Sequence, residues 1–329
     1  MSKKIIFTNG LIDLAQPRLG SKVIFKTDDF FGSANRIIDS SSPVFKEGLF
    51  DKNGKWMDGW ESRRKRTPGH DYLIIKLGKP GSISKVNVDT SHFNGNQPSI
   101  ISIDACNSKS NNIKSFKWKN LVSKKKTKAN SHHIFKTSSK SVFTHIKLNI
   151  FPDGGVARLR LYGSISKENN NFGKKIINLA SLLDGASVIA CNNEHFGKAE
   201  NILAPGKAKN MGDGWETRRR RDKGFDWLIL NSIDGEMIDK IEISTHHFKG
   251  NFPSHCSLQA TYIPTKKSSS SIVSSSNNWK TLMNKTTLKA NKTHTFKNTL
   301  MKKNKINFIK INIFPDGGIS RFRIFGKAK

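Results

Sequence analysis

The sequence predicts an all-β protein made of two tandem homologous jelly-roll β-sandwich domains. Three observations carry that expectation. A long-period repeat runs through the 329 residues. Short stretches alternate apolar and polar residues with a period of two. Gly, Pro, Asn and Asp punctuate those stretches, and strong amphipathic helix patterns are few. Many short strands at regular spacing, in copies of about 160 residues, describe a sandwich or jelly roll.

The repeat is clearest where Asp58-Gly59-Trp60-Glu61-Ser62-Arg63-Arg64-Lys65-Arg66 returns as Asp213-Gly214-Trp215-Glu216-Thr217-Arg218-Arg219-Arg220-Arg221. From Asp58 to Ile75, 11 of 18 residues match their partners, too many for chance similarity of composition. In chain order, Ile12-Asp13-Leu14-Ala15 pairs with Ile177-Asn178-Leu179-Ala180, and Phe31-Gly32 with Phe196-Gly197. His92-Phe93-Asn94-Gly95-Asn96 pairs with His247-Phe248-Lys249-Gly250-Asn251. Phe151-Pro152-Asp153-Gly154-Gly155 pairs with Phe314-Pro315-Asp316-Gly317-Gly318, and Arg158 and Arg160 with Arg321 and Arg323. The first domain is expected over residues 1–165 and the second over 173–329. A polar linker, 166–172, containing Glu168-Asn169-Asn170-Asn171, is expected between them.

Within each copy the elements follow from pattern. Ile83–Asp89, Ile100–Asp104, Ile146–Ile150 and Val156–Gly163 alternate as strands. Trp60 and Trp215 are expected to plug the cores. Phe-Pro-Asp-Gly-Gly reads as a turn, with Pro presetting φ, Asp capping and Gly admitting positive φ. Ser181–Leu183 is at most part of a short helix. The low-complexity run from Lys266 to Asn278 is expected to be a mobile surface loop.

The formal net charge is +32, and the three cysteines, Cys106, Cys191 and Cys256, find no cysteine partner in the other copy. Unmatched cysteines argue against a disulfide frame and a Cys-ligated metal, and for reduced thiols. The charge admits a nucleic-acid binder. However, the lysines are scattered, no zinc-finger spacing or ribonucleoprotein motif occurs, and Lys, Asn, Ile and Phe are enriched together as in AT-rich coding. No nucleic-acid partner is expected, although a basic surface would still draw in a small anion. The first residues lack a signal-peptide pattern, and no run approaches the roughly 18 apolar residues of a membrane span. A soluble, cytoplasmic protein without a membrane partner is expected.

Gly-Trp-Glu-Ser/Thr-Arg-Arg, then Asp-Tyr/Trp-Leu-Ile, His-Phe-Asn/Lys-Gly-Asn and Phe-Pro-Asp-Gly-Gly with Arg-x-Arg, all present twice, resemble the allantoicase (allantoate amidinohydrolase) family from about Ile5 to the end. The resemblance implies two jelly-roll repeats, a homo-oligomer, and hydrolysis of allantoate to ureidoglycolate and urea in purine (allantoin) breakdown. The closing Arg-x-Arg-Leu-Tyr-Gly is also similar to the last strand of discoidin-type, galactose-binding sandwiches, a likeness of architecture only. One departure stands out. The second copy has Ala199-Glu200-Asn201, as family members tend to, where the first has Ala34-Asn35-Arg36. If Glu200 does chemistry, the first copy has lost it. The first copy also carries about ten extra residues between Arg36 and Asp58.

Allantoate bears a carboxylate and two ureido groups on one carbon. Releasing urea needs a cation for the carboxylate, an acid for the departing nitrogen, and a base. The acid/base candidates are Glu61 and Glu216, with Glu200 in the second copy only. His92 and His247, beside a glycine turn, are candidate general bases. Arg63, Arg64, Arg218 and Arg219 are candidate carboxylate holders, with Asp58 and Asp213 in the same segment. Arg160 and Arg323 either reach a binding surface or pair with Asp71 and Asp226. His133 and His294 are expected to be structural. No cofactor is expected, and no His-Glu-x-x-His or tight His/Asp cluster signals a metal. Set against the hydrolase is a non-enzymatic tandem sandwich that binds glycans or other polyanions.

Overall fold

A computed structural model describes residues 5–166, 172–173, 175–297 and 305–329. Most of the predicted linker, 167–171, lies outside the described residues. The chain divides into two compact units, Ile12–Ser166 and a second comprising Lys167–Lys329 with the first eleven residues. The short strand Ile6–Phe7 belongs to that second unit, pairing antiparallel with Ala190 and Cys191 of the strand Ser187–Cys191.

Each unit is a jelly-roll sandwich organised by one 19-residue strand. In the first unit this is Asp71–Asp89. Residues Asp71–Lys76 pair with Phe143–Phe151 and with Lys22–Lys26. Lys85–Asp89 pair instead with Arg158–Ile165 and His132–Lys136. The two halves thus take different neighbours, and the strand passes from one layer to the other around Gly78 and Gly81. A Cβ at either glycine would lie 2.0 and 2.5 Å from main-chain oxygen. Asp226–Ser244 does the same in the second unit, pairing first with Ile306–Phe314 and Ser187–Cys191, then with Arg321–Ala328 and Thr293–Phe296.

The alternation read from the sequence becomes the core. Leu73, Ile75, Val86, Val88, Ile101, Ile103, Ile146, Leu148, Leu159 and Leu161 are all fully buried. At about 25 cal/mol per Å² of apolar surface, each such side chain contributes roughly 1.5–3 kcal/mol. Trp60 and Trp215 are buried as expected, and their indole N–H groups donate to the carbonyls of Asp28 and Asn193, both at 2.8 Å. The three cysteines are free and buried. His133 is structural. Its Nε2 accepts from Lys128 N at 2.8 Å, so the ring is a neutral tautomer whose Nδ1 donates to Val88 O at 3.1 Å. His294 repeats the arrangement with Lys289 N and Ile243 O.

The expectation of a loop over Lys266–Asn278 needs correction. Ser269–Ser275 is an α-helix, followed by a 3-10 turn, Ser276–Asn278. Ser268 caps it by accepting from Ser271 N at 3.2 Å. Ile272 is buried in a cluster with Ile189, Ile229 and Trp279. One apolar anchor and a serine cap outweigh the weak helix propensity of the other serines. Among the described residues, no helix is long and apolar enough to cross a membrane.

Candidate active site

In the first unit, Trp60–Glu61 forms a two-residue strand against Gly155–Val156, and Glu61 also bridges to Gly32. Trp60 faces the core, so the next side chain, Glu61, points the opposite way. Close packing fixes this position, since a Cβ on Gly155 would lie 1.9 Å from the Phe93 ring. Asn96 Nδ2 donates to Glu61 Oε1 at 2.8 Å, and Asn96 O accepts from Gly155 N at 2.7 Å. His92 sits on the same turn with φ of +70°. That conformation costs a side-chain-bearing residue roughly 1 kcal/mol or more. Asn130 Oδ1 holds it by accepting from His92 N at 2.9 Å.

These groups line a cavity of about 390 Å³ whose walls are Phe31, Phe45, Lys55, Met57, Glu61, His92, Asn94, Asn96 and Asn130. Burial pushes the Glu61 carboxyl above its usual range, and the hydrogen bond from Asn96 offsets only part of that. Phe45 stacks on His92 with centroids 5.9 Å apart, and Lys55 Nζ lies 4.9 Å above the Phe45 ring. His92 Nε2 is 3.4 Å from Pro43 O.

Phe45, Lys55 and Met57 all come from the stretch between Arg36 and Asp58, which is about ten residues longer in the first copy. Its hairpin, Phe50–Asp51 with Gly54–Lys55, is closed by Asp51 Oδ1 accepting from Asn53 N at 2.9 Å. Arg36 donates to Met57 O at 2.7 Å and lies over Trp56, and Asp58 Oδ2 accepts from Val44 N at 2.9 Å. Where the second copy has Asn201, the amide instead donates to Gly212 O and Gly214 O of a shorter loop.

The second unit keeps the frame. Glu216 pairs with Gly318 and bridges to Gly197. Asn251 Nδ2 donates to Glu216 Oε1. His247 has φ of +72° and donates its N–H to Asn291 Oδ1 at 2.9 Å. Its Nε2 lies 2.9 Å from Ala208 O, so that nitrogen carries the proton. Met211 Sδ comes within 3.9 Å of Asn251 Nδ2, and Glu216 is buried. Glu200 is half-buried in the 3-10 turn Ala199–Leu203.

The basic run serves a different purpose from the one its composition suggests. Arg63, Arg64, Arg218 and Arg219 are exposed, and Arg63 and Arg64 are absent from the cavity wall. Arg63 pairs with Asp28 at 3.0 Å. The third basic residue turns inward. Lys65 Nζ meets Asp71 at 2.9 Å, and Arg220 pairs with Asp226. The turn aspartates fix the same backbone, Asp153 accepting from Lys65 N and Asp316 from Arg220 N, both at 2.7 Å. Asp58 and Asp213 hold Arg158 and Arg321, at 2.8 and 2.7 Å. The expected pairing of Arg160 and Arg323 with Asp71 and Asp226 is therefore corrected, because those carboxylates are already taken by Lys65 and Arg220. Arg160 pairs with Asp13 at 3.4 Å. Arg323 donates to the carbonyls of Ile202 and Phe322, at 2.9 and 2.8 Å. Among the described residues, no three His, Cys, Asp or Glu side chains gather as a metal ion would require.

A family model described as the allantoicase repeat matches residues 12–166 and again 177–329. The chain belongs to the allantoicase family. It is 44% identical over 317 residues to a probable allantoicase of Photobacterium profundum, covering 96% of each chain. To probable allantoicase 2 of Burkholderia pseudomallei it is 43% identical, covering 98% of this chain and 96% of the relative. Its fold matches the crystal structure of allantoicase from Saccharomyces cerevisiae with a TM-score of 0.81 at 31% identity, covering 97% and 94% of the two chains.

For this allantoicase-family chain, sequence reasoning missed Asn96, Asn130 and Lys55. The two asparagines left a signal, since both recur, as Asn251 and Asn291. Lys55 left none, because it lies where the two copies differ in both length and sequence.

Proposed function

We propose that the protein is an allantoicase, hydrolysing allantoate to ureidoglycolate and urea, and that the first-repeat pocket around Glu61 carries the reaction. One observation supports this reading above others: a half-buried carboxyl with raised proton affinity faces a cavity whose walls include three amides and one lysine. Lys55 holds the substrate carboxylate as a point charge. Asn94, Asn96 and Asn130 exchange hydrogen bonds with the ureido groups, while Phe31, Phe45 and Met57 exclude water. Glu61 retains its proton closer to neutrality than an ordinary glutamate and delivers it to the departing ureido nitrogen. As the Cα–N bond breaks, urea leaves. Water supplies hydroxyl to that carbon, and His92 takes its remaining proton. Direct displacement by water and elimination through an imine both use this acid in the same way.

Membership of the family disfavours the glycan-binding alternative. The proposal extends to a cytoplasmic homo-oligomer. Three buried free thiols suit a reducing compartment, and light scattering that finds only monomer mass removes the oligomer. Purified protein given allantoate is expected to release one urea per ureidoglycolate, with no ammonia in that step. No urea from folded protein overturns the assignment.

A further inference from the structure

The two repeats surround the arginine pair of their last strand with different amounts of negative charge. In the first, Arg158 and Arg160 stand among four acids. Asp58 and Asp13 pair with them, and Asp89 lies opposite Arg158 in register. The fourth is Asp39. Desolvation opposes its ionisation, but hydrogen bonds from Ser41 and the charges of Arg158 and Arg160 hold its carboxyl below the usual range.

In the second repeat Asp213 remains, but Asn178, Ala204 and Ser244 stand where Asp13, Asp39 and Asp89 did. Glu242 replaces Asn87, and Lys207 replaces Ser42. Three acids are lost, one acid and one lysine are gained, and the local charge rises by 3 − 1 + 1 = 3. Glu242 is itself engaged by Lys240 at 2.7 Å. Arg323 donates to four main-chain carbonyls, Ile202, Ala204, Gly206 and Phe322. Burial, with the charge of Arg321 beside it, pulls its pKa down to about 10 despite Glu242, so the guanidinium is charged at neutral pH and short of negative charge. A cavity of about 250 Å³ opens on this group, with Lys207, Glu242, Ser244, Thr293, Arg321 and Arg323 in its wall.

We propose that this cavity of the second repeat binds a small organic carboxylate, at a site separate from the Glu61 pocket. The Nε–H of Arg323, the one N–H of that group not given to a main-chain carbonyl, and the ammonium of Lys207 suit a carboxylate. Glu242 opposes a dianion such as phosphate and accepts N–H or O–H from the rest of the acid. The hydroxyls of Ser244 and Thr293 complete a polar lining, and the volume is too small for a glycan or nucleotide.

The test is calorimetric titration of the whole chain with N-carbamoylglycine and, separately, inorganic phosphate. A Lys55→Met background weakens the Glu61 pocket, so that the second repeat dominates the binding. Carboxylate binding is expected to persist there and to exceed phosphate binding. Lys207→Ser, at an exposed position, and Arg323→Lys are each expected to weaken it about tenfold, the scale of one charge-assisted hydrogen bond. Absent binding in the Lys55→Met background, affinity unmoved by both changes in protein of unaltered circular dichroism, or tighter binding of phosphate overturns the proposal. Because the readout is binding, it stands or falls separately from urea release.

Discussion

The two repeats share a scaffold and differ in what they enclose. Each presents a glutamate on a two-residue strand, an asparagine bonded to it, and a histidine at positive φ held by a second asparagine. Only the first has the longer stretch between Arg36 and Asp58 that bears Phe45, Lys55 and Met57. The second places Met211 beside its asparagine and relieves its arginine pair of three acids. Duplication preserved the parts that hold backbone in place, while chemistry diverged in the loop between Arg36 and Asp58 and in the neighbours of the last strand. The repeat thus marks the frame, and under the proposed function the departures from it decide which copy reacts.

The comparison breaks most directly at the paired glutamates. Glu61→Gln is expected to lower kcat for urea release by about 10²–10⁴-fold, the usual contribution of a positioned acid. Glu216→Gln is expected to change it less than about threefold. A urea assay on both decides the matter, and equal losses would mean that both copies catalyse or that neither glutamate is special. A smaller effect is expected at Lys55. Lys55→Met should raise KM about tenfold or more, with a lesser change in kcat, if the lysine holds the carboxylate. Steady-state kinetics showing an unchanged KM would return that role to the arginines.

The smallest effect concerns stability. Because burial raises the folded-state pKa of Glu61, the folded chain binds its proton more tightly than the unfolded chain. The resulting stabilisation is present below the unfolded carboxyl pKa and is lost as pH rises through the folded one. Glu61→Gln is therefore expected to raise Tm relative to the parent at neutral pH, and to lose that advantage near pH 4. Thermal scans at pH 4 and pH 7.5 with the same Tm difference would contradict it.

The fold was legible because period-two alternation and a 155-residue offset are both local to the sequence, as at Ile83–Asp89 and Asp58–Ile75. Glu61, His92 and their counterparts stood out as polar residues used twice. What escaped depended on three-dimensional partners. Nothing in Glu-x-Arg-Arg reveals that the first two arginines face solvent while Lys65 and Arg220 turn in to Asp71 and Asp226. Composition concealed the serine-rich helix, since one buried isoleucine decides it. Lys55 reaches the cavity through a hairpin that the second copy lacks, so its recurrence could not be read.

The strand Ile6–Phe7 has an implication for how the molecule is made. Its partner, Cys191, lies 185 positions downstream of Ile6. At about 5–20 residues per second, a ribosome exposes the first segment roughly 10–40 s before its partner is synthesised. Throughout that interval an apolar β-edge is without its mate while the intervening repeat folds. A bulky fusion at the amino terminus would therefore burden the distant half of the polypeptide rather than the adjoining one.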